Sequence, residues 1–215
     1  MSTASVTGAI LAGGPKAGLA GTLKALLPLQ EEATIVRQVR EMRKLCKEII
    51  VVTDTPKPFF DVLDSSVRII TDYYPGRGPL GGMHSALRLA RNPLVWIAGG
   101  DMPFISAEEA RRLMTGFSDG VQAVIPIVRD RPVPLHGLYD SRCSEAIAAM
   151  LAEYGGASAA LPASIAALLG RVQWLGIPAE TVGEGEDWRD FAYEIRNEED
   201  YERARSMLVA ARSTG

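Results

Sequence analysis

Three short apolar runs in the first half of the chain stop abruptly at glycine or aspartate, and this repetition constrains the fold more than any other feature. Residues 8–12 end in Gly13-Gly14, residues 67–71 end at Asp72, and residues 94–98 end in Gly99-Gly100-Asp101. Runs that are apolar at successive positions suit strands buried on both faces. Between them lie helical patterns, such as Ile35, Val39, Met42 and Leu45-Cys46 over about residues 33–46. Alternation of this kind predicts an α/β fold: a doubly wound, mostly parallel sheet with helices on both faces. Ligands of such sheets sit beyond the carboxyl ends of the strands, where Gly13-Gly14, Asp72 and Asp101 all fall.

The remaining pattern extends this reading. Further strands are expected at 49–53, 123–128, 135–139, 171–175 and 191–195. Helices are expected at 58–63, 80–91, 142–153 and 157–169. Ser106 with Glu109 three residues on is a capping-box signature that starts a helix running to 117. Asn197 caps a last helix to about residue 211, with Asp200 in its first turn. A chain of 215 residues, 47% of them hydrophobic, suffices for one domain over 7–211 after a tail at 1–6. The irregular stretch 176–189, with Gly183 and Gly185, reads as a mobile loop.

Composition excludes several classes. The net charge is −3 with both signs interspersed, which argues against a nucleic-acid partner. No apolar run reaches membrane-spanning length, and residues 1–6 lack signal-peptide character. Cys46 and Cys143 are far apart and lack metal-ligand spacing, so a reduced, cytoplasmic protein with two buried thiols is expected.

The chemistry concentrates in residues 7–24, TGAILAGGPKAGLAGTLK. Consecutive backbone N–H groups in a glycine turn form an anion nest, and Lys24 downstream supplies counter-charge. The loop matches neither GxxxxGK[ST] nor GxGxxG. A phosphate cradle and a flexible connection both fit it. Lys24 is the best catalytic candidate, stabilising charge on a phosphate, against the common role of a solvated surface lysine. Asp101 is placed either to hold a divalent cation against phosphate oxygens or to cap a turn. Asp72 either bonds a base or sugar or shapes the turn to Pro75. Gly78-Pro79-Leu80-Gly81-Gly82 opens a helix that faces an anion or a flat base, or is a tight turn. His84 and His136 lack partners at nucleophile or metal spacing and read as structural. His136 is also a candidate to line the second-substrate side of the cleft.

Taken together, LAGG with its downstream lysine, Asp72 with GPLGG, the strand ending GGDMPF, PLHGLY and the final NEEDYERA fall in a telling order. The chain resembles the molybdenum cofactor guanylyltransferases, among the sugar-nucleotide-type nucleotidyltransferases. The resemblance runs from residue 8 to 203 and is weak across 141–190. It implies a Rossmann-like nucleotidyltransferase fold. It also implies transfer of GMP from GTP to the terminal phosphate of molybdopterin, release of pyrophosphate, Mg²⁺ as cofactor, and a molybdoenzyme or maturation protein as partner. By this resemblance Leu11, Ala12, Gly13 and Gly14 would hold guanosine and phosphates, and Lys24 would contact phosphate or base. Asp72 and the turn Gly78, Pro79, Leu80, Gly81 and Gly82 would read guanine and ribose, and Asp101 would bind Mg²⁺. The pair Gly13-Gly14 favours the guanylyl branch, since relatives that use CTP more often have AG there.

The chain departs from that family at two motifs. The family loop GGxSxRMGxDK is here GGPKAGLAGTLK, so the arginine falls on Gly18 and the aspartate on Leu23, with Lys16 the only other cation of the loop. The family NVNTPED is here EIRNEED, which puts Glu194 or Arg196 where an asparagine completes the metal site. Glu194 offers carboxylate oxygens as ligands; Arg196 has no acceptor. A cation lost beside a desolvated phosphate costs roughly 2–5 kcal/mol. Two alternatives therefore stand: a divergent enzyme with another nucleotide or acceptor, such as cytidylyl transfer, or a non-catalytic nucleotide-binding adaptor in molybdoenzyme maturation.

Overall fold

Residues 8–11 pair in parallel with 49–52 on one side and with 96–99 on the other. The runs at 8–12 and 94–98 are thus at the centre of one sheet beside 49–52, and the run at 67–71 forms its edge strand. The structure, a computed structural model, describes residues 5–13, 19, 21–153, 165–179 and 191–213.

In chain order, β1 (Val6–Leu11) is followed by a 3-10 turn at Lys24–Leu26 and a small hairpin of β2 (Pro28–Leu29) and β3 (Glu32–Ala33). Then come α1 (Thr34–Met42), β4 (Glu48–Val52), α2 (Lys57–Phe60), β5 (Val67–Ile70), α3 (Gly78–Leu89), β6 (Leu94–Gly99) and α4 (Ala107–Met114). The second half holds β7 (Ala123–Val128), β8 (Arg131–Pro132), a 3-10 turn at Pro134–His136 and β9 (Leu138–Asp140). It closes with α5 (Cys143–Glu153), α6 (Ile165–Leu169), β10 (Trp174–Pro178) and α7 (Glu198–Ser213).

The main sheet has the order β10-β7-β9-β6-β1-β4-β5, with β8 paired to β7. Along the path only β9 runs against its neighbours, β6 and β7. The strand order reverses at β1, between β4 and β6, and this switch point opens a crevice beyond the strand ends. Alternate residues of each central strand enter separate cores. Val6, Ile10, Val51 and Trp96 pack with Val39 and Met42 of α1 and Leu113 of α4. Ala9, Ile50, Val95 and Ile97 pack with Met83 and Leu87 of α3 and Ile147 of α5. Both faces are covered, as the continuous apolar runs require. A third cluster joins Leu27 and Leu29 to Ile195, Tyr201, Ala204 and Leu208. It seats α7 on the hairpin, where the Tyr201 hydroxyl donates to the Pro28 carbonyl at 2.5 Å.

Several expected bounds move. β1 starts at Val6, inside the expected tail. The expected strand at 135–139 is a 3-10 turn through His136 and then β9, because Pro134 favours the first position of a helical turn. The strand expected at 171–175 is β10, shifted to Trp174–Pro178, so 176–178 are not loop; residues 180–189 lie outside the described residues. The expected strand at 191–195 does not form. The segment makes one backbone bond toward the sheet end, from the Ile195 N–H to the Asp101 carbonyl at 2.8 Å. Of the helix expected at 157–169, residues 157–164 lie outside the described residues.

Both expected caps are present, one of them in altered form. The Asp200 N–H donates to Asn197 Oδ1 at 2.9 Å, and Asp200 Oδ2 accepts from the Asn197 N–H at 3.3 Å, a reciprocal box. At α4 the Glu109 N–H donates to Ser106 Oγ at 3.1 Å. The reciprocal bond comes from elsewhere in the chain: the Ser106 N–H donates to His136 Nε2 at 3.0 Å. Glu109 instead pairs with Arg112.

Candidate active site

The turn 99–102 carries Asp101 off the end of β6. It lies against the end of β1 because Gly100 has no side chain. A Cβ there would stand 3.0 Å from Ala12 Cα and 3.0 Å from the Leu11 carbonyl oxygen. The Gly100 N–H donates to that same oxygen at 2.9 Å. Lys24 comes from the 3-10 turn at the far end of the glycine loop. Its Nζ stands 3.5 Å from Asp101 Oδ2, both side chains being about 30% exposed.

Between these elements lies a cavity of about 580 Å³. Leu11, Ala12, Gly13, Lys24, Asp72, Gly78, Pro79, Gly82 and Asp101 line it, so residues far apart in sequence converge. Leu80 and Gly81 do not. Leu80 is buried in the core beneath α3, and Gly81 packs against Asp72, where a Cβ would stand 2.5 Å from Asp72 Oδ2. Gly14, Lys16 and Gly18 lie outside the described residues.

Asp72 does two things at once. Its Oδ1 accepts from the Tyr74 N–H at 2.8 Å and lies 3.1 Å from the Ser85 hydroxyl, which shapes the turn. It also faces the cavity. Val52, Thr53 and Asp54 at the end of β4 line the cavity too, as do Gly76 and Leu135. The 52–54 group had a usable signal: it ends a parallel strand beside β1, the position where ligands of such sheets bind.

Glu194 does not line the cavity, but its carboxyl lies close enough to Asp101 and Lys24 to feel both charges. Burial raises its carboxyl above the usual range, and the nearby Asp101 charge raises it further. Arg196, by contrast, points its guanidinium at Glu194, with Nε 3.9 Å from Oε2. Among the described residues no cluster of three or more metal-ligating side chains forms. Asp101 in the cavity and Glu194 near it nevertheless suit Mg²⁺, which keeps several waters and takes one or two protein carboxylates. The Asp101 carboxylate also sits in a gap a side chain would fill: a Cβ on Gly99 would stand 2.8 Å from Asp101 Oδ1.

The two histidines stay out of the site. His136 is fully buried, so it lines no cleft; its ring rests between Trp96 at 5.3 Å and Phe191 at 4.8 Å. Burial pushes its pKa down to about 3. His84 is buried against Tyr73 and Tyr74, and burial lowers its pKa as well. Cys46 and Cys143 are free and buried, each with its thiol pushed up to about 12 by burial.

A doubly wound sheet with a glycine-lined cleft at its switch point defines an α/β protein that takes its ligand beyond the strand ends. Residues 8–167 match the MobA-like NTP transferase domain family, and the chain belongs to it. A molybdenum cofactor guanylyltransferase from Desulfosudis oleivorans is 31% identical over 143 residues, 66% of this chain and 69% of that protein. A probable molybdenum cofactor guanylyltransferase from Bacillus cytotoxicus is 32% identical over 151 residues, 69% of this chain and 75% of its own length. In fold the chain is similar to the molybdopterin-guanine dinucleotide biosynthesis protein A from Archaeoglobus fulgidus. That likeness has a TM-score of 0.77 at 22% identity, covering 95% of this chain and 99% of the other. Among the described residues, no helix is long and apolar enough to cross a membrane.

Proposed function

We propose that this nucleotidyltransferase moves GMP from GTP to the terminal phosphate of molybdopterin and releases pyrophosphate. The observation that carries the reading is the facing pair of Lys24 and Asp101 at the mouth of the cleft between β1 and β6. The names of the similar proteins, molybdenum cofactor guanylyltransferases, support a guanylyl group as what is transferred and the molybdenum cofactor as its acceptor.

The acceptor phosphate is already anionic, so the reaction needs no protein nucleophile. It attacks the α-phosphorus of GTP in line, and the pyrophosphate oxygen leaves with the bonding pair. What the protein contributes is position and charge neutralisation. Leu11, Ala12 and Gly13 form the floor against which the nucleoside and its phosphates lie. Lys24 sets its ammonium against the phosphates as charge shifts toward the leaving group. Asp72, with Gly78 and Pro79, bounds the side of the cavity where guanine and ribose fit. Asp101 and Glu194 are the residues that would hold Mg²⁺, which supplies charge neutralisation at the phosphates. The Ile195 N–H donates to the Asp101 carbonyl, which ties the residue after Glu194 to the turn that carries Asp101.

Calorimetric titration of GTP, CTP and ATP, each with and without Mg²⁺, tests the assignment. The expected result is binding of GTP alone, dependent on Mg²⁺. Preference for CTP would make the chain a cytidylyltransferase. No binding by folded protein would overturn the enzyme reading, and GTP binding without pyrophosphate release would favour the nucleotide-binding adaptor.

A further inference from the structure

Gln38 sits in the middle of α1 and is completely buried. Its Nε2 donates to two main-chain carbonyls, Gly99 at 2.7 Å and Met102 at 2.8 Å. Both neighbours are acceptors only, so the amide nitrogen and not the oxygen must face them. Its Oε1 has no hydrogen-bond partner among the described residues. A buried amide with one idle end is an expensive way to fill a core position. An apolar side chain of the same size would avoid that cost, but it would take the Gln38 donor from the Met102 carbonyl and leave the Gly99 carbonyl with the Met102 N–H alone.

Those carbonyls bracket Gly100 and Asp101. The adjoining residue of α1 continues the attachment, as Arg37 Nε donates to the Pro103 carbonyl at 3.1 Å. From the other side the Ile195 N–H takes the Asp101 carbonyl, and the Gly100 and Met102 N–H groups are bonded to Leu11 and Gly99. The turn is therefore fastened at the N–H groups of Gly100 and Met102 and at the carbonyls of Gly99, Asp101 and Met102. Gln38 makes the two fastenings that come from a single rigid helix on both sides of the carboxylate.

We infer that Gln38 is a positioning residue for the cation site: it holds the 99–102 turn so that the Asp101 carboxylate stands fixed toward the cleft. This rests on the proposed cation role of Asp101. Groups that orient a metal ligand typically change metal affinity about ten- to a hundredfold when removed.

The test uses Mn²⁺ as the probe, followed by electron paramagnetic resonance on the whole chain with and without GTP, together with backbone amide exchange. Gln38→Met keeps the bulk and removes both donors. Gln38→Asn keeps the amide one methylene short and serves if the first variant does not fold. In a folded variant, Mn²⁺ binding is expected to weaken about tenfold or more, and exchange at the Gly100 and Met102 amides to rise while the β4 amides stay protected. A merely structural role would lower the melting temperature and leave Mn²⁺ affinity at the wild-type value, which would overturn the inference. Asp101→Asn separates the two layers. If it weakens Mn²⁺ binding and the Gln38 variants do not, only the positioning role fails. If it leaves Mn²⁺ binding unchanged, the cation role of Asp101 fails and the Gln38 role with it, while GTP titration judges the nucleotide reading on its own.

Discussion

Lys24 Nζ lies 3.5 Å from Asp101 Oδ2, so the lysine ammonium pairs with the carboxylate proposed to hold the metal ion. Both side chains are partly exposed, and such pairs contribute about 0.2–1 kcal/mol. Lysine and a metal ion then compete for one carboxylate. Lys24→Met should raise the affinity for Mn²⁺ without nucleotide by about 1.5- to 5-fold, the range that energy allows. The same change should slow turnover with GTP, since the charge facing the phosphates is gone. Metal titration followed by pyrophosphate-release assays reads both effects. Unchanged or weaker nucleotide-free Mn²⁺ binding would contradict the competition.

Gly81 gives a prediction about the other wall. A Cβ at this position would stand 2.5 Å from Asp72 Oδ2 and 2.8 Å from the Tyr74 carbonyl oxygen. The second neighbour is backbone and has little room to move. Gly81→Ala should therefore destabilise the protein by about 1–3 kcal/mol, as overpacked sites do, and push Asp72 out of its turn. Urea unfolding measures the first effect and GTP titration the second.

His136 makes stability depend on pH. Burial holds its folded pKa at about 3, below an ordinary value of 6.5, and its neutral Nε2 accepts the Ser106 N–H. The unfolded chain takes up a proton first, so the stabilisation is complete above about pH 6.5 and is lost progressively as pH falls toward 3. Between pH 7.5 and pH 4.5 this one group should remove about 2–3 kcal/mol. His136→Gln, which retains an acceptor without that titration, should flatten the profile over the same range. Urea midpoints at several pH values for both proteins give the comparison; parallel profiles would rule the mechanism out.

The central sheet was legible because burial on both faces forces β1, β4 and β6 to be apolar at nearly every position. The convergence of the candidate residues was legible because Gly13 follows β1, Asp72 follows β5 and Asp101 follows β6. What the sequence hid depends on contacts between distant segments. Nothing near Lys24 or near Asp101 says that they meet; only the pairing of β1 with β6 brings them together. The hairpin of β2 and β3 turns at Gln30 with φ 60°, a left-handed position that glycine or asparagine would normally announce. The alternating residues 191–195 look like a strand, yet Phe191 packs on His136 and Ile195 is used to hold Asp101. His136 read as structural, which its burial bears out, and also as a candidate cleft residue, which fails because the turn that begins at Pro134 sets its ring against Trp96. Gln38 reads as an ordinary polar residue of an amphipathic helix, and its role exists only once the 99–102 turn is folded against α1.

The most direct measurement is pyrophosphate release from GTP in the presence of molybdopterin and Mg²⁺, for the wild-type chain and Asp101→Asn side by side. The account predicts release by the wild type that requires both GTP and the acceptor, and a loss of about 10²–10³-fold in the variant, as for removal of a group that stabilises transition-state charge. Absence of release by folded wild-type protein, or undiminished release by Asp101→Asn, would contradict it.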